Sequence, residues 1–240
     1  FGLHHYPGNQ ALLCKTVLEL VGLSVLEMRL THLLCGGEEQ RFALAVALAP
    51  EPALLLLDEP FSNLDANMRV RVRSEVRAIL RQANATAIFV THDQEEALSL
   101  TDRVAVVIDG TVRQFAPPQQ LYRRPNDREV ATFVGEANLL PGTAHGRVAN
   151  CELGNMELVA ECNGSVDVLV RPESISVMPA AADARCRVRN IQFFGHDQLV
   201  TVSLGSGRLV DARLGPMYHF AVGQPVQLQV SGLVMAYGSI

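Results

Sequence analysis

Two apolar runs, each followed at once by polar residues, mark the first half of the chain. Residues 54–57 are four leucines that lead into Asp58 and Glu59, and residues 87–90 lead into a short polar turn that contains His92. Short runs without alternation are typical of strands buried on both faces of a parallel sheet. Because ligands bind beyond the carboxyl ends of such strands, we expect the two acids and the histidine at one sheet edge. A strand that ends in a solvated acidic turn would show the same local pattern.

Residues at helical spacing predict three helices around these strands. The first ends near Gly22, the second covers residues 67–82 and the third covers residues 94–100. Apolar residues of the second helix form one stripe: Val72, Val76, Ile79 and Leu80. The same helix also carries five arginines: Arg69, Arg71, Arg73, Arg77 and Arg81. We interpret the arginines as a solvated helix face, and a nucleic-acid-binding face is the alternative.

The second half of the chain has the pattern of a small β domain. Asp109 and Gly110 separate two strand-like runs and predict a hairpin. Two short helices are predicted next, at residues 119–123 and 127–134. Beyond Gly135, short β-like runs are separated by glycines, which favours a small barrel or sandwich; the runs are 166–170, 174–177, 198–204, 208–214 and 226–230. We therefore predict an α/β domain over residues 1–135 and a β domain over residues 136–240.

Composition and charge narrow the classes of partner. The chain has 240 residues and a formal net charge of -5, and its aromatic content is 5%, which disfavours nucleic acid as a partner. The five cysteines are odd in number and include no Cys-x-x-Cys pair, so neither a disulfide framework nor a zinc site is indicated, and a reducing cytoplasm is expected. No apolar run approaches the length that crosses a bilayer, so membrane association would have to come through partner proteins.

A glycine pair upstream of the leucine run indicates a phosphate site. Gly36 and Gly37 free the backbone to approach a ligand, and the Ala/Leu-rich stretch 42–48 predicts a helix directly behind them. The unpaired N–H groups at a helix N-terminus bind anions. A further polar turn, Ser62 to Asp65, follows the two acids.

Four motifs in this order, LCGGEEQR, LLLLDEP, SNLD and THD, resemble the nucleotide-binding subunit of ATP-binding-cassette (ABC) transporters. The fold that this resemblance implies is α/β: a partial RecA-like ABC ATPase domain, with a helical subdomain and a parallel sheet, followed by a small all-β OB-like (TOBE) domain. The resemblance assigns the signature motif to residues 34–40, whose ATP-binding members are Leu34, Cys35, Gly36, Gly37, Glu38 and Gln40. It makes Asp58 the Mg²⁺-binding carboxylate, Glu59 the general base, Asp65 the D-loop acid and His92 the switch histidine.

The resemblance also implies partners and a location. Each ATP site in the family is completed by the signature of a second subunit, so a homodimer is expected on the cytoplasmic face of the plasma (inner) membrane. It would associate peripherally with transmembrane permease subunits and indirectly with a periplasmic or extracellular solute-binding protein; no nucleic acid is expected. Val-Arg-Pro-Glu at residues 170–173, which contains Arg171, and the Phe-Phe-Gly-His turn at residues 193–196 resemble the TOBE domain of importers for maltose, sulfate, polyamines and ferric iron. Residues 133–138, together with the rest of the tail, are most similar to the ferric-iron group.

Two departures from the family pattern leave other functions open. The 240 residues contain no G-x-x-x-x-G-K-[ST] phosphate loop, and residues 1–3 resemble the segment just after the family's γ-phosphate-sensing glutamine. Cys35 stands where the family usually has serine, and a thiol is the weaker donor, by ~1 kcal/mol. The alternatives are a truncated, non-catalytic remnant that acts as a docking or regulatory module, and a soluble ABC-type ATPase not coupled to transport.

Overall fold

The computed structural model divides into two units, Phe1–Val104 and Ala105–Ile240. The structure describes residues 9–62 and 64–238; residues 1–3 and Asn63, on which sequence-based predictions fell, lie outside these ranges. The division falls at residue 104, whereas the sequence predicts a domain boundary at 135. That boundary stays a prediction. None of the helices in the described part combines the length and apolar character needed to cross a bilayer.

The first unit alternates helices and strands. Its elements are α1 (Gln10–Leu20), α2 (Gly36–Leu48), β1 (Leu55–Asp58), α3 (Ala66–Gln82), β2 (Ala87–Val90) and α4 (Gln94–Leu100). Gly22, with a φ of 68°, stands in the left-handed conformation just beyond α1, which agrees with the predicted helix end. Asp93 caps α4 by accepting the Glu96 N–H, so this helix begins where its sequence pattern predicts.

A β-α-β arrangement organises this unit. β1 and β2 pair in parallel, with Asp58 opposite Val90, and α3 connects them. The core beneath them contains the fully buried Phe61, whose ring stacks on that of Phe89 at 6.4 Å between centroids. Val72 and the rest of the predicted apolar stripe of α3 are buried in the same core. The parallel pairing confirms that both predicted strands end at one sheet edge.

The prediction that both strands are buried on both faces is wrong for the described residues. Leu55 is buried, but Leu56 is 72% exposed, and Ile88 and Val90 on β2 are also exposed. The described part of this sheet has two strands, and the core lies against one of its faces. Successive strand residues point to opposite faces, so every second residue of each run is left facing outward.

The second unit is mainly antiparallel β structure. Its elements are β3 (Val104–Ile108), β4 (Thr111–Ala116), α5 (Pro118–Arg123), α6 (Arg128–Phe133), β5 (Asn138–Cys151), β6 (Gly154–Val170), β7 (Ile175–Pro179), β8 (Cys186–Phe193), β9 (Gln198–Ser203), β10 (Leu209–Leu214), β11 (Pro225–Val230) and β12 (Met235–Gly238). The predicted Asp-Gly hairpin is present, with φ of 50° at Asp109 and 71° at Gly110. The five β-like runs of the sequence all fall on strands, whereas β5, β8 and β12 were missed.

Two sheets share the core of this unit. One has the order β12-β6-β5 and the other β10-β9-β8-β11-β7, and a single cluster of buried side chains draws on both. Asn138 joins them, because its side-chain amide donates to the carbonyls of Val170 and Asp211 and its oxygen accepts the Asp211 N–H at 2.8 Å. Each polar atom of this buried side chain is therefore satisfied.

Arg171 connects α5 and α6 to the β sheets of the second unit. Its guanidinium, which follows β6, donates to backbone carbonyls in α5, in α6 and in the turn after α6. Tyr122 of α5 also donates its hydroxyl to Glu173 at 2.8 Å. The two short helices therefore pack with the β sheets.

Candidate active site

Glu59 and His92, 33 positions apart in the chain, meet at the carboxyl edge of the parallel sheet. The Glu59 N–H donates to the Val90 carbonyl at 2.8 Å, which extends the β1–β2 ladder by one residue. The Nδ1 atom of His92 then lies 2.8 Å from Oε1 of Glu59. The histidine side chain is 78% exposed, so the pair opens to solvent. The register of the two strands therefore creates the contact.

The backbone turns sharply at Glu59. Its φ is 43°, a left-handed conformation that is uncommon for a residue with a side chain and costs on the order of 1–3 kcal/mol. Ser62 stabilises the turn, since its N–H and its hydroxyl both donate to the Glu59 carbonyl, at 3.2 and 3.1 Å. Strain of this kind concentrates at functional sites, where the surrounding structure holds it in place.

The carboxylate of Glu59 favours the protonated form of His92. The hydrogen bond that the ring donates to Glu59, together with the negative charge of Glu59, raises the pKa of His92, and Asp93 and Glu96 add smaller effects in the same direction. Nδ1 donates in this pair, and Nε2 makes no hydrogen bond with any residue that the structure describes. The second ring nitrogen is therefore available to a ligand.

A small cleft surrounds the pair; Glu59, Ser62, Arg69, Thr91, His92, Asp93 and Glu96 line it. Its floor is a buried ion-pair network. Arg73 of α3 lies 2.7 Å from the Asp93 carboxylate and 2.8 Å from that of Glu96. Thr91 donates its hydroxyl to Glu96 at 2.6 Å. The interpretation of the α3 arginines as a solvated face is therefore wrong for Arg73, whose side chain is 8% exposed.

Asp58 occupies the last position of β1 and is exposed. Its side chain makes no hydrogen bond or ion pair with any described residue, and it does not line the cleft. No group of three His, Cys, Asp or Glu side chains in the described ranges could hold a metal ion. A single free carboxylate is nevertheless what Mg²⁺ commonly takes from a protein, because this ion keeps several waters and substrate phosphate oxygens as its other ligands.

The glycine motif lies in the first turn of α2, not before it as the sequence predicted. Cys35 is the N-cap and is exposed, and its N–H donates to the Glu38 carboxylate at 2.9 Å. This hydrogen bond, together with the thiol contact, lowers the pKa of Glu38. Leu34 precedes the cap and is half-buried. A capping box of this kind fixes the start of the helix.

The two glycines allow α2 to lie close to α3 and to the turn before it. A Cβ atom at Gly37 would lie 3.1 Å from Val72, and one at Gly36 would lie 3.3 Å from Leu64. Gln40, one turn further along, donates its side-chain amide to the Pro60 carbonyl. None of residues 34–40 lines the Glu59–His92 cleft. Packing thus supplies a structural reason for the glycines that is independent of any ligand.

Asp65 begins α3. Its side chain accepts the Met68 N–H at 2.9 Å, which is the usual contact of an N-cap aspartate. It lies outside the Glu59–His92 cleft, so the structure gives it a capping role and leaves its predicted place at a dimer interface a prediction.

Known proteins resemble this chain over both units. Residues 9–62 match the family described as ABC transporter, and residues 168–232 match the TOBE domain. A protein of Pectobacterium atrosepticum named as an Fe(3+) ions import ATP-binding protein is 40% identical over 97% of the chain and 69% of its own length. A protein of Rhodococcus jostii with the same type of name is 38% identical over 99% of the chain and 70% of its own length. The chain belongs to the ABC transporter ATP-binding family.

The family and fold class predicted from the four motifs are thereby confirmed. Among solved structures, the chain resembles cbiO1 of Clostridium perfringens, part of the ABC transporter complex cbiONQ, at 26% identity. That match has a TM-score of 0.48 and covers 52% of this chain and 51% of the other. The ABC transporter match includes Asp58 and Glu59, and the TOBE match lies within the second unit.

Sequence reasoning missed the residues of the candidate site that lie beneath His92. Arg73, Thr91 and Glu96 join in one network there, yet none of them was predicted as a site residue. A signal was present for Arg73, because it precedes Leu80 by seven positions and so shares a helix face with the apolar stripe. An arginine on a buried face requires a carboxylate partner.

Proposed function

We propose that the protein is the ATP-hydrolysing subunit of an ABC importer whose cargo is ferric iron. The observation that carries the catalytic part is the 2.8 Å contact between Glu59 and His92 at the open edge of the sheet. The cargo rests on the names of the relatives, which are Fe(3+) ions import ATP-binding proteins at 36–40% identity. Solute choice would lie with the permease and the solute-binding protein.

In this proposal the chemistry is the transfer of the γ-phosphoryl group of ATP to water. Glu59 polarises the attacking water, and its carboxylate holds the imidazole of His92 by Nδ1 so that Nε2 faces the γ-phosphate. Positioning and charge stabilisation supply most of the rate in reactions of this class. Asp58 would hold Mg²⁺, because its side chain is exposed and has no partner among the described residues, and a bound ion would neutralise charge on the phosphates.

The first turn of α2 supplies the second half of an ATP site in this proposal. Cys35 and Gly36 are exposed at the helix N-terminus, where N–H groups attract phosphate. This turn lies apart from the Glu59–His92 cleft of its own chain, so it would serve the ATP of a second subunit. We therefore propose a homodimer, bound to permease subunits at the cytoplasmic face of the inner membrane.

A chimera tests the proposal. These 240 residues replace the matched 69% of the Pectobacterium protein, and ATP hydrolysis is measured with and without its permease in vesicles. We expect permease-stimulated hydrolysis and uptake of ferric iron. In the same chimera, Glu59→Gln should still bind ATP but lose turnover by roughly 10²–10⁴-fold, the usual contribution of a general base.

Each alternative function predicts a different result. A chimera that binds the permease but does not hydrolyse ATP would indicate a docking or regulatory module. Hydrolysis that the permease does not stimulate would indicate an ATPase not coupled to transport. Retained turnover in Glu59→Gln would reject the general-base role, and stimulated hydrolysis without iron uptake would reject the cargo alone.

A further inference from the structure

We propose that Arg73 is a positioning residue, which holds His92 against Glu59 by clamping Asp93 and Glu96 from the neighbouring helix α3. The inference deepens the proposed function, since it adds a residue to the same site. Arg73 itself does not touch His92, and no side chain of the described residues other than Glu59 bonds to the imidazole. Apart from its bond to Glu59, the position of this exposed ring therefore depends on the backbone on either side of it.

Hydrogen bonds of this network hold the backbone on both sides of His92. Before it, the Thr91 hydroxyl donates to Glu96 at 2.6 Å and accepts the Asp93 N–H at 3.0 Å. After it, Asp93 accepts the Glu96 N–H at 3.1 Å through one carboxylate oxygen and receives Arg73 at 2.7 Å on the other. These bonds leave the Thr91–Asp93 backbone little freedom.

Arg73 connects this turn to the interior of the unit. One Nη atom contacts both Asp93 and Glu96, and the side chains of Arg73 and Glu96 are 8% and 6% exposed. Arg69, one helical turn earlier, reinforces the link: it lies 3.5 Å from Asp93 and donates to the Leu64 carbonyl at 3.1 Å. Both carboxylates of this network are paired with Arg73, so loss of Arg73 would leave uncompensated buried charge. The Nε atoms of Arg69 and Arg73 are buried without a partner among the described residues, so these arginines hold the network through their Nη contacts alone.

The test compares variants of the full 240-residue chain. Arg73→Met removes the clamp, and Thr91→Val removes one hydroxyl while nearly keeping the side-chain shape, so it serves if Arg73→Met fails to fold. Arg71→Met is the matched control, because Arg71 is an exposed arginine on the same helix that pairs with Glu75. The pKa of His92 is measured by NMR, and Glu59→Gln gives its value without the carboxylate.

The direction in which the pKa of His92 changes distinguishes a loss of positioning from the direct effect of removing a positive charge. Loss of a nearby cation by itself would raise the pKa of His92, since Asp93 and Glu96 would then act on it unopposed. Release of the imidazole from Glu59 would instead lower it toward the ordinary value of about 6.5. We expect the pKa to fall in Arg73→Met and in Thr91→Val, toward that of Glu59→Gln, and to stay unchanged in Arg71→Met.

Activity of the chimera supplies the second measurement. We expect Arg73→Met and Thr91→Val to lower kcat by roughly 10²-fold while the KM for ATP changes by less than about threefold, as for a misplaced catalytic group. A His92 pKa that stays constant or rises in the folded variants would overturn the inference, whatever the activity. If the unaltered chimera hydrolyses no ATP, the proposed function fails, and the NMR titration still decides whether Arg73 positions His92.

Discussion

Replacement of Arg171 by methionine should detach α5 and α6 from the β sheets. The guanidinium donates to four backbone carbonyls at 2.8 to 3.2 Å, namely those of Tyr122, Ala131, Gly135 and Glu136. It also lies 4.2 Å from the centre of the Tyr122 ring. Methionine keeps a similar length and apolar stem but can donate to none of these acceptors.

The expected loss follows from these contacts. A hydrogen bond to a charged group contributes about 1.5–3 kcal/mol, but four bonds to one guanidinium are not additive. Burial also lowers the pKa of Arg171, which reflects a desolvation cost that methionine does not carry. We therefore expect a net loss of about 3 kcal/mol in the free energy of unfolding of the second unit. For a domain of this size that is a fall of roughly 10 °C in Tm.

Calorimetry and amide hydrogen exchange measure the two parts of this prediction. Arg208→Met is the control, because Arg208 is exposed and its side chain makes no hydrogen bond with the described residues. Exchange should accelerate in Pro118–Arg123 and Arg128–Phe133 more than in the strands. A loss below about 1 kcal/mol, or a loss spread evenly over the sheets, would refute the view that Arg171 attaches these helices.

Two further predictions concern packing and buried phenols. Gly37→Ala should destabilise the first unit about 1 kcal/mol more than Gly36→Ala in urea unfolding, because Val72, the neighbour at 3.1 Å, is fully buried and cannot give way; equal losses would contradict this. Burial raises the pKa of Tyr122 and Tyr237 to about 12, so the neutral phenols stabilise the fold fully below pH ~10 and lose that contribution as the pH rises toward 12. In the native chain, the phenolate absorbance of these two residues should therefore rise only well above the pH at which it rises in the denatured chain. Titration curves of native and denatured chain that superimpose would contradict this prediction.

Features with a local cause could be predicted from the sequence. The polar edge after β1 and β2, the bounds of α4 and the Asp-Gly hairpin each depend on a few adjacent residues, such as Asp93 at the N-cap or Gly110 with positive φ. The family could be predicted as well, because four motifs stand in a fixed order. Their order, more than any single motif, carried that inference.

Features that depend on distant partners could not be predicted. β5 and the first part of β6 contain glycines, asparagines and a proline, and they are strands because they pair with each other over a long antiparallel register. Arg73 was placed among solvated arginines because its partners come from a separate helix. The outward side of β1 was predicted to be buried because the leucine run does not reveal how many strands flank it.

Register links these two kinds of feature at the site. Asp58 pairs with Val90 in the ladder, and Glu59 follows one position later. The two side chains therefore have different surroundings: the Asp58 carboxylate has no partner among the described residues, whereas the Glu59 carboxylate bonds to His92.

A slip of one residue between β1 and β2 would move Asp58 to the place of Glu59 and turn Leu55 out of the core. The leucine run itself permits that slip, because Leu54 would take the buried place of Leu55. Phe61, which is fully buried and stacks on Phe89, opposes it, at a cost of about 1.5–3 kcal/mol for exposing one phenylalanine. The buried aromatic residue after the strand therefore decides which acid meets the histidine.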